Sequence, residues 1–426
     1  MEFGADFSHD EGKDDLLALR AALDNYHRAD EPWVEKPFEA TLLTARKIIL
    51  SDETMGAIAD LEIRLARYDT LIGCSPYRST VVQLMSRFEG VCAAVANGFK
   101  PDWRTCCYLD YYLAHGAVPA VGLSAALAKA TGADSQTVQS SLCAHQIEAI
   151  VTRLLEEEQS STRLSAERII ALNDALCRTI NPTWELGMRK WDPPVEPQGR
   201  GGGYKLPAAS SLKYFLEDLA DFTATSKLDP ITKSALIFFQ IDSVRMFPHH
   251  FDQLGRIISF YLWRHTGVVM HAIPPISVTP AIHPQKHLEK LKPYLHQGET
   301  VDMLILDDWI YHAARSTQNA VELERACLAE VERQIAEWQE CLKSSSGRST
   351  GTIHEILPLI FVRPVFSVSS LAKDAHSAYS TANQMVLSLE RAGIVRQVSA
   401  GRRNKLYECP DALNFFGKMV PELASL

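Results

Sequence analysis

The sequence predicts a mainly α-helical chain that ends in a short β-hairpin. Apolar residues recur at three- and four-residue steps through much of the chain, for example from Asp52 to Gly90 and from Glu322 to Leu342, and this is the spacing of amphipathic helices. Strand-like alternation is scarce before Ile394. The 426 residues, of which 46% are hydrophobic, suffice for two or three domains with sizeable cores. We therefore expect helices packed on helices through most of the molecule.

Clusters of proline, glycine and serine separate the predicted helices. Further helices are expected over Thr137–Glu156, Ser165–Thr179, Ser210–Ala224 and Asp229–Met246. The stretch Trp191–Pro207 is rich in Pro and Gly and is predicted to be a loop or hairpin, and His271–Pro284 an extended connector. Ser344–Thr352 is polar and is predicted to be a flexible linker.

The composition excludes several classes of protein. The sequence has no apolar run long enough for a membrane span and no apolar segment near the N-terminus that would indicate a signal peptide. The nine cysteines include no C-x-x-C pair and the fourteen histidines no H-E-x-x-H motif. We therefore expect a cytoplasmic chain with reduced thiols, without membrane contact and without a metal site.

The residues after the linker predict a compact module. The predicted elements are helices at Ile353–Phe361, Ser369–Ala375 and from Ser380 or Thr381 to Gly393, and strands at Ile394–Val398 and Lys405–Cys409. Two helices, a short turn, a third helix and a hairpin follow one another in the order of a winged helix-turn-helix. The third helix is predicted to bury one apolar face, made of Ala382, Met385, Val386 and Leu389.

The opposite face of that third helix is predicted to contact DNA. Its polar residues are Ser380, Thr381, Asn383, Gln384 and Ser388, and the hairpin adds Arg402, Arg403 and Lys405. Amides and hydroxyls suit base edges and phosphates, and the basic residues suit phosphates beside the groove. From Thr350 onward the sequence has eight Lys/Arg and six Asp/Glu, which gives this segment a net charge of about +2. The remainder of the chain has a net charge of about −11, and the whole chain has −9. A winged helix that contacts proteins, with a merely solvated basic hairpin, is the alternative.

The central stretch Asp229–Gly267 carries a resemblance to a known family. It contains an Asp-Pro helix start, then Phe247, Gly255-Arg256 and a closing glycine at Gly267. This pattern resembles, without a gap, the core of Fic-domain proteins, in which H-P-F-x-[DE]-G-N-G-R-x-G-R supports transfer of AMP from ATP to a protein hydroxyl. The resemblance implies a Fic-like helical core, with ATP and magnesium as cofactors if the chain is an active transferase.

The departures from that motif argue against the transferase. Arg245 stands where the family has its catalytic histidine, and an arginine stays protonated and cannot act as the base. His249 replaces the acidic magnesium ligand, and Gln253 the first motif arginine. His250-Phe251-Asp252 replaces the Gly-Asn-Gly whose amides bind phosphate in the family. We therefore expect no catalytic residue and no cofactor. A gapped alternative pairs His249-His250-Phe251 with His-Pro-Phe and would leave an AMP transferase of altered mechanism.

Two further features follow from the resemblance. Glu89-Gly90 resembles the end of the family's inhibitory helix, with Met85 where a Ser or Thr belongs, so Glu89 and Arg256 are expected to form a structural ion pair. The alternative is that each is solvated separately. The glycine-rich stretch near Gly203 resembles the family's flap and could pair with an extended peptide or protein partner. A flexible surface loop is the alternative there.

The predicted organisation has four parts. Residues 1–100 form an N-terminal helical region, 101–343 a degenerate Fic-like core, 344–352 a linker and 353–426 the winged helix. The predicted function is a DNA-binding transcriptional regulator on a catalytically degenerate scaffold, with a homodimer possible. An interaction scaffold that does not bind DNA is the remaining alternative.

Overall fold

The computed structural model describes residues 40–116, 122–156, 164–180, 183–192, 206–249, 251–290, 299–346, 351–399 and 405–423. The predicted mainly α fold class is confirmed, since helices make up most of these residues. In the ranges so described, no helix is both long and apolar enough to cross a membrane. The stretch around Gly203 and the hairpin residues Arg402 and Arg403 lie outside the described residues, as does His250.

The described helices follow one another along the whole chain. They are Asp52–Cys74 (α1), Arg78–Ala96 (α2), Trp103–His115 (α3), Leu123–Thr131 (α4), Ser135–Glu156 (α5), Ala166–Ile180 (α6), Leu212–Thr225 (α7), Pro230–Val244 (α8), Phe251–His265 (α9), Val278–Ile282 (α10), Pro284–Lys290 (α11), Glu299–Ser346 (α12), Gly351–Glu355 (α13), Leu357–Val362 (α14), Val368–Asp374 (α15), Tyr379–Arg391 (α16), Pro410–Leu413 (α17) and Phe415–Met419 (α18). Short 3₁₀ turns cover Leu43–Ala45, Ala209–Ser211 and Pro421–Leu423.

A small sheet lies in the C-terminal part. Its strands are Val365–Ser367 (β1), Arg396–Gln397 (β2) and Leu406–Glu408 (β3), in the order β1-β3-β2 with both pairings antiparallel. β1 was not predicted, because all three of its residues are buried and so show no alternation. β2 and β3 are shorter than the predicted strands at Ile394–Val398 and Lys405–Cys409 but fall within them.

Helix α2 lies at the centre of the body. Every residue from Leu84 to Ala94 is buried. Gly90 permits the close approach of α2 to α5, because a Cβ there would stand 2.4 Å from the carbonyl oxygen of Ala144. At this point of α2 the Glu89 carboxyl group is buried, and the contact with α5 requires a glycine at the next position.

Helices α8 and α9 form a second tightly packed pair. Asp229 caps α8 by accepting a hydrogen bond from the Thr232 amide at 2.8 Å, and Pro230 follows at the first helical position, as expected for an Asp-Pro helix start. Gly255 of α9 faces the ring of Phe238, which would lie 2.6 Å from a Cβ at this position. The motif glycine thus fixes how closely the two helices pack.

The predicted flexible linker is wrong at its described residues. Helix α12 continues through Ser346 and α13 begins at Gly351, so both ends of Ser344–Thr352 are helical. The Ser344 hydroxyl donates to the Glu340 carbonyl at 2.9 Å, so the serine binds its own helix instead of ending it. The connector His271–Pro284 is likewise not wholly extended, because it contains α10.

Two predicted helices differ at their ends. The single helix expected over Ile353–Phe361 is divided into α13 and α14, with Pro358 in the first turn of α14, where a missing N–H costs nothing. Helix α16 begins at Tyr379, and its N-cap is Ala378, not the predicted Ser380 or Thr381. His376, three residues before α16, has a left-handed backbone conformation (φ 47°), so the chain turns into the helix before it reaches Ser380.

The C-terminal part packs firmly on the body. Glu408 on β3 is fully buried and accepts hydrogen bonds from the Tyr108 hydroxyl at 2.6 Å and from Arg396 at 3.2 Å, and it also pairs with Arg104. Arg87 of α2, itself buried, donates to the Val362 carbonyl at the end of α14 at 2.9 Å. These charged contacts join the small sheet and α14 to α2 and α3. The predicted domain boundaries stay a prediction.

Candidate functional site

The loop between α8 and α9 is where the predicted motif lies. Arg245 ends α8 in a left-handed conformation (φ 46°, ψ 57°), with its amide bonded to the Ile241 carbonyl at 3.0 Å. This conformation is unfavourable for a residue with a Cβ. Phe247, at the motif phenylalanine, is buried in the core below the loop. Helix α9 starts at Phe251, directly after the loop.

A preceding segment of the same chain holds this loop. The Arg189 amide donates to the Met246 carbonyl at 3.0 Å, and its Nε donates to the Arg245 carbonyl at 2.9 Å. The same guanidinium donates to the Trp191 carbonyl at 3.0 Å and to the Pro207 carbonyl at 2.5 Å. One buried cation therefore binds this loop to Trp191 and Pro207, the two ends of the stretch that the sequence predicts to be a loop or hairpin.

His249 lies under an aromatic ring. The Trp184 indole stacks on the His249 imidazole with ring centroids 4.4 Å apart and planes 20° apart. Stacking of this kind stabilises the ring in one position. Neither Arg189 nor Trp184 was singled out from the sequence, because each is more than fifty residues from its partner and belongs to no motif.

The two motif positions on α9 point into the protein. Gln253 is fully buried, and its carbonyl oxygen accepts from the Asn97 amide at 3.2 Å and from Arg256 at 3.4 Å. Arg256 is also buried, and its guanidinium lies over the Phe238 ring at 5.7 Å. Position 253 thus takes part in a hydrogen-bond network that joins α9 to Asn97 at the end of α2.

Glu89 is a fully buried carboxylate on α2. It accepts hydrogen bonds from the Ser277 hydroxyl at 2.5 Å and from the Ser277 amide at 2.9 Å. The pKa of Glu89 is raised overall, because the effect of burial is larger than the opposing effects of the Ser277 hydrogen bonds and of the positive charge of Arg256. The structure therefore places Glu89 and Arg256 within electrostatic reach, and it adds Ser277, which the sequence reasoning did not identify. Their direct ion pair stays a prediction.

A small apolar cavity lies beside Arg256, away from the loop. Its volume is about 60 Å³, and its lining includes Phe238, Trp309, His287 and His312. Burial lowers the pKa of His287 to about 3, helped by Arg256 and His312, and burial also lowers the pKa of His312. Both rings are neutral at pH 7. The cavity is far below the roughly 300–1,000 Å³ of typical ligand pockets, so it does not fit a nucleotide.

These residues do not fit ATP and magnesium. In the described part of the chain, no group of three or more His, Cys, Asp or Glu residues is placed to hold a metal. At the loop, Arg245 cannot accept a proton, and His249 supplies an imidazole where a hard cation prefers carboxylate oxygen. Gln253 is turned to Asn97 and carries no charge for a phosphate.

Helix α16 presents the second set of predicted residues. Its inward face, Ala382, Met385, Val386 and Leu389, is buried as predicted. On the outer side Ser380, Thr381 and Gln384 are exposed, whereas Asn383 and Ser388 are half-buried. The Ser388 hydroxyl donates to the Gln384 carbonyl at 3.0 Å within the helix.

The surroundings of α16 are polar and partly basic. Lys405, at the start of the hairpin's returning strand, is exposed, as are Lys373 on α15 and Arg391 at the end of α16. Tyr379, the first residue of α16, is 61% exposed. The sequence did not point to Tyr379, because the N-cap was expected two or three residues after Ala378, at Ser380 or Thr381, which left the tyrosine in the turn.

Comparison with known proteins gives structural matches only. No protein-family model matches the chain, and no curated protein matches it. A Fic family protein from Desulfovibrio desulfuricans G20 matches at 12% identity with a TM-score of 0.46, covering 85% of this chain and 98% of that one.

Two further solved structures match over a shorter part of this chain. A Fic domain containing signaling protein from Bacteroides thetaiotaomicron VPI-5482 shares 14% identity with a TM-score of 0.40, covering 63% of this chain and 97% of that one. A Fic-1 fragment from C. elegans shares 12% identity with a TM-score of 0.41, covering 64% and 74%. The chain is similar in structure to these three Fic-family proteins.

Proposed function

We propose that this chain is a DNA-binding regulator and that α16 is the helix that enters the major groove. The observation that carries the proposal is the division of α16 into a buried apolar face and an exposed polar face. Thr381 and Gln384 are exposed on the polar face, where an amide can bond two atoms of an adenine edge.

The order of the neighbouring elements supports this use of α16. Helix α14, strand β1, helices α15 and α16, and strands β2 and β3 follow one another as in a winged helix-turn-helix. β2 and β3 would form the wing, and the exposed Lys405 at its base could neutralise a phosphate.

The body would then serve as a rigid mount for the DNA-binding helix. Glu408 connects the wing strands to α3, and Arg87 connects α14 to α2. Contacts to buried charged groups hold their partners in one geometry, because breaking one leaves an uncompensated charge. These contacts would therefore hold β3 and α14 in fixed positions on the body.

The Fic-like core is proposed to be catalytically inactive. Arg245 supplies no base, and His250-Phe251-Asp252 replaces the Gly-Asn-Gly whose amides bind phosphate in the family. Incubation of the chain with labelled ATP, magnesium and a cell lysate should transfer no label. Labelled protein would instead support an AMP transferase of altered mechanism.

The DNA-binding proposal is tested by gel shift at low salt. The probes are the DNA upstream of the chain's own gene and duplexes selected from a random pool. Gln384→Ala should weaken the selected complex roughly 5- to 150-fold, the equivalent of about 1–3 kcal/mol for one base contact. Lys405→Ala should weaken all duplexes alike and reduce the salt dependence by about one phosphate.

Matched controls separate these effects from general ones. Gln285→Ala removes an exposed amide on α11, and Lys213→Ala removes an exposed charge on α7, both far along the chain from α16. Both controls should bind DNA as the parent chain does. No complex at low salt would reject DNA binding and favour an interaction scaffold.

A further inference from the structure

Three side chains with nitrogen or oxygen donor atoms line the small cavity beside Arg256. They are His287 on α11, and His312 and Ser316 on α12. The His287 Nδ1 and His312 Nε2 atoms lie 3.4 Å apart, and the Ser316 Oγ atom lies 3.5 Å from the same His312 nitrogen. His312 and Ser316 are four residues apart, so they lie on the same side of α12. Donor atoms from two helices therefore meet at one part of the cavity wall.

The separation of the two imidazole nitrogens matches that of two ligands of one metal ion. A nitrogen donor and its hydrogen-bond acceptor usually stand about 2.7–3.2 Å apart. A tetrahedral zinc ion about 2.0–2.1 Å from each of two nitrogens places them roughly 3.3–3.4 Å from each other. The observed distance between His287 and His312 is 3.4 Å. The cavity volume of about 60 Å³ leaves room for the ion and for a water ligand.

The two rings are held in position and are in the protonation state that binds metal. His287 packs edge-on against Phe238 and Trp309, with ring centroids 5.9 and 5.5 Å apart. Burial lowers the pKa of both histidines, so no proton has to leave either ring at pH 7. The buried His287 Nε2 has no hydrogen-bond partner among the described residues, so nothing at that atom decides which ring nitrogen carries the proton.

The nearby positive charges are opposed by carboxylates. Arg256 and Lys290 both act on the imidazole rings. Lys290 pairs with Asp308 at 2.7 Å, and Arg256 lies within electrostatic reach of the buried Glu89. Asp308 also acts on the nearer ring with a negative charge, because it stands one turn before His312 on α12. A cation at this site would therefore not meet a purely positive surrounding.

We propose that His287, His312 and Ser316 form a site for a transition-metal cation that prefers nitrogen ligands, with Zn²⁺ as the expected ion. The ion would join the short helix α11 to α12 and keep one position for water. No sequence motif indicates the site, because the two histidines are 25 positions apart on different helices. The inference does not depend on DNA binding.

The ligand set predicts a modest affinity. All three ligands are neutral, whereas structural zinc sites commonly include cysteine thiolates. A hydrogen-bond partner on the second nitrogen of a ligating histidine changes metal affinity roughly 10- to 100-fold, and His287 has none among the described residues. We therefore expect a dissociation constant in the micromolar range.

Isothermal titration calorimetry of the full chain with Zn²⁺ is the first test. The parent should bind one ion per chain, and His287→Gln and His312→Gln should each weaken binding roughly tenfold or more. His283→Gln, at an exposed position just before α11, is the matched control and should bind as the parent does. The proposal is rejected if the parent binds no zinc at submillimolar concentrations. It is also rejected if all three variants bind alike, since other residues would then hold the ion.

A variant that strengthens binding keeps the proposal testable if a histidine variant unfolds. Ser316→Cys replaces one oxygen by sulfur and adds a thiolate ligand, so it should bind Zn²⁺ roughly tenfold or more tightly. Co²⁺ bound to this variant should show sulfur-to-metal absorption that the parent lacks. Ser243→Cys, at a buried serine of α8 that does not line the cavity, should leave the affinity unchanged. Equal affinity of Ser316→Cys and the parent would show that the two rings only bond each other.

Discussion

Removal of the Glu89 carboxylate provides the most informative perturbation of the body. Glu89→Ala would leave the Ser277 amide and hydroxyl without the acceptors that they contact at 2.9 and 2.5 Å in a fully buried site. Each unpaired buried group costs about 1–3 kcal/mol, so for the two groups we expect a loss of about 2–6 kcal/mol in the free energy of unfolding. Urea denaturation followed by fluorescence measures this loss directly. Unchanged stability would refute the structural role assigned to Glu89.

A matched variant and a second readout sharpen that experiment. Glu89→Gln keeps one acceptor oxygen for Ser277 and should cost less than Glu89→Ala. Neither variant should become labelled on incubation with ATP and magnesium, because Arg245 and Gln253 are unchanged. Self-labelling of Glu89→Ala would show that the glutamate inhibits a working transferase, and it would overturn the inactive assignment.

Three further predictions concern packing, the loop and pH. Gly255→Ala should destabilise the chain by about 1–3 kcal/mol, since its Cβ would meet Phe238 at 2.6 Å. Gly56→Ala is the control and should be neutral or stabilising, because a Cβ there meets nothing within 4 Å. Equal unfolding midpoints for the two variants would contradict this. Arg189→Met should speed amide exchange in the loop after α8 and leave α16 unchanged; exchange that stays slow in the loop would show that other contacts hold it. Burial raises the pKa of Glu324 from 4.5 to about 8. The parent chain should therefore lose stability as the pH rises between these values, whereas Glu324→Gln should not. An equal change in melting temperature between pH 5 and pH 8.5 for the two chains would contradict the assignment.

Regular patterns explain which parts of the fold the sequence could predict. The four inward residues of α16 repeat at helical spacing, so their burial followed from periodicity alone. The Asp229-Pro230 start of α8 followed from local capping chemistry. Helix ends that rested on weaker local preferences, at Ser344 and Ser380, were misplaced, because both exposed serines lie inside helices.

The contacts that define the loop could not be predicted in this way. Arg189 reaches the Arg245 carbonyl across 56 positions of the chain, and Ser277 reaches Glu89 across 188. No periodicity connects residues so far apart. Every residue also has a backbone carbonyl, so the amino-acid sequence does not show which carbonyl accepts a hydrogen bond. The same holds for Glu408, whose burial depends on how the wing strands meet α3.

Hydrogen exchange of the full chain with and without a selected duplex tests the central claim most directly. If α16 is the helix that binds DNA, amides in Tyr379–Arg391 and in the wing strands should gain protection, while those of α1 should not change. Formation of a DNA complex that leaves α16 as exchangeable as before would contradict the account.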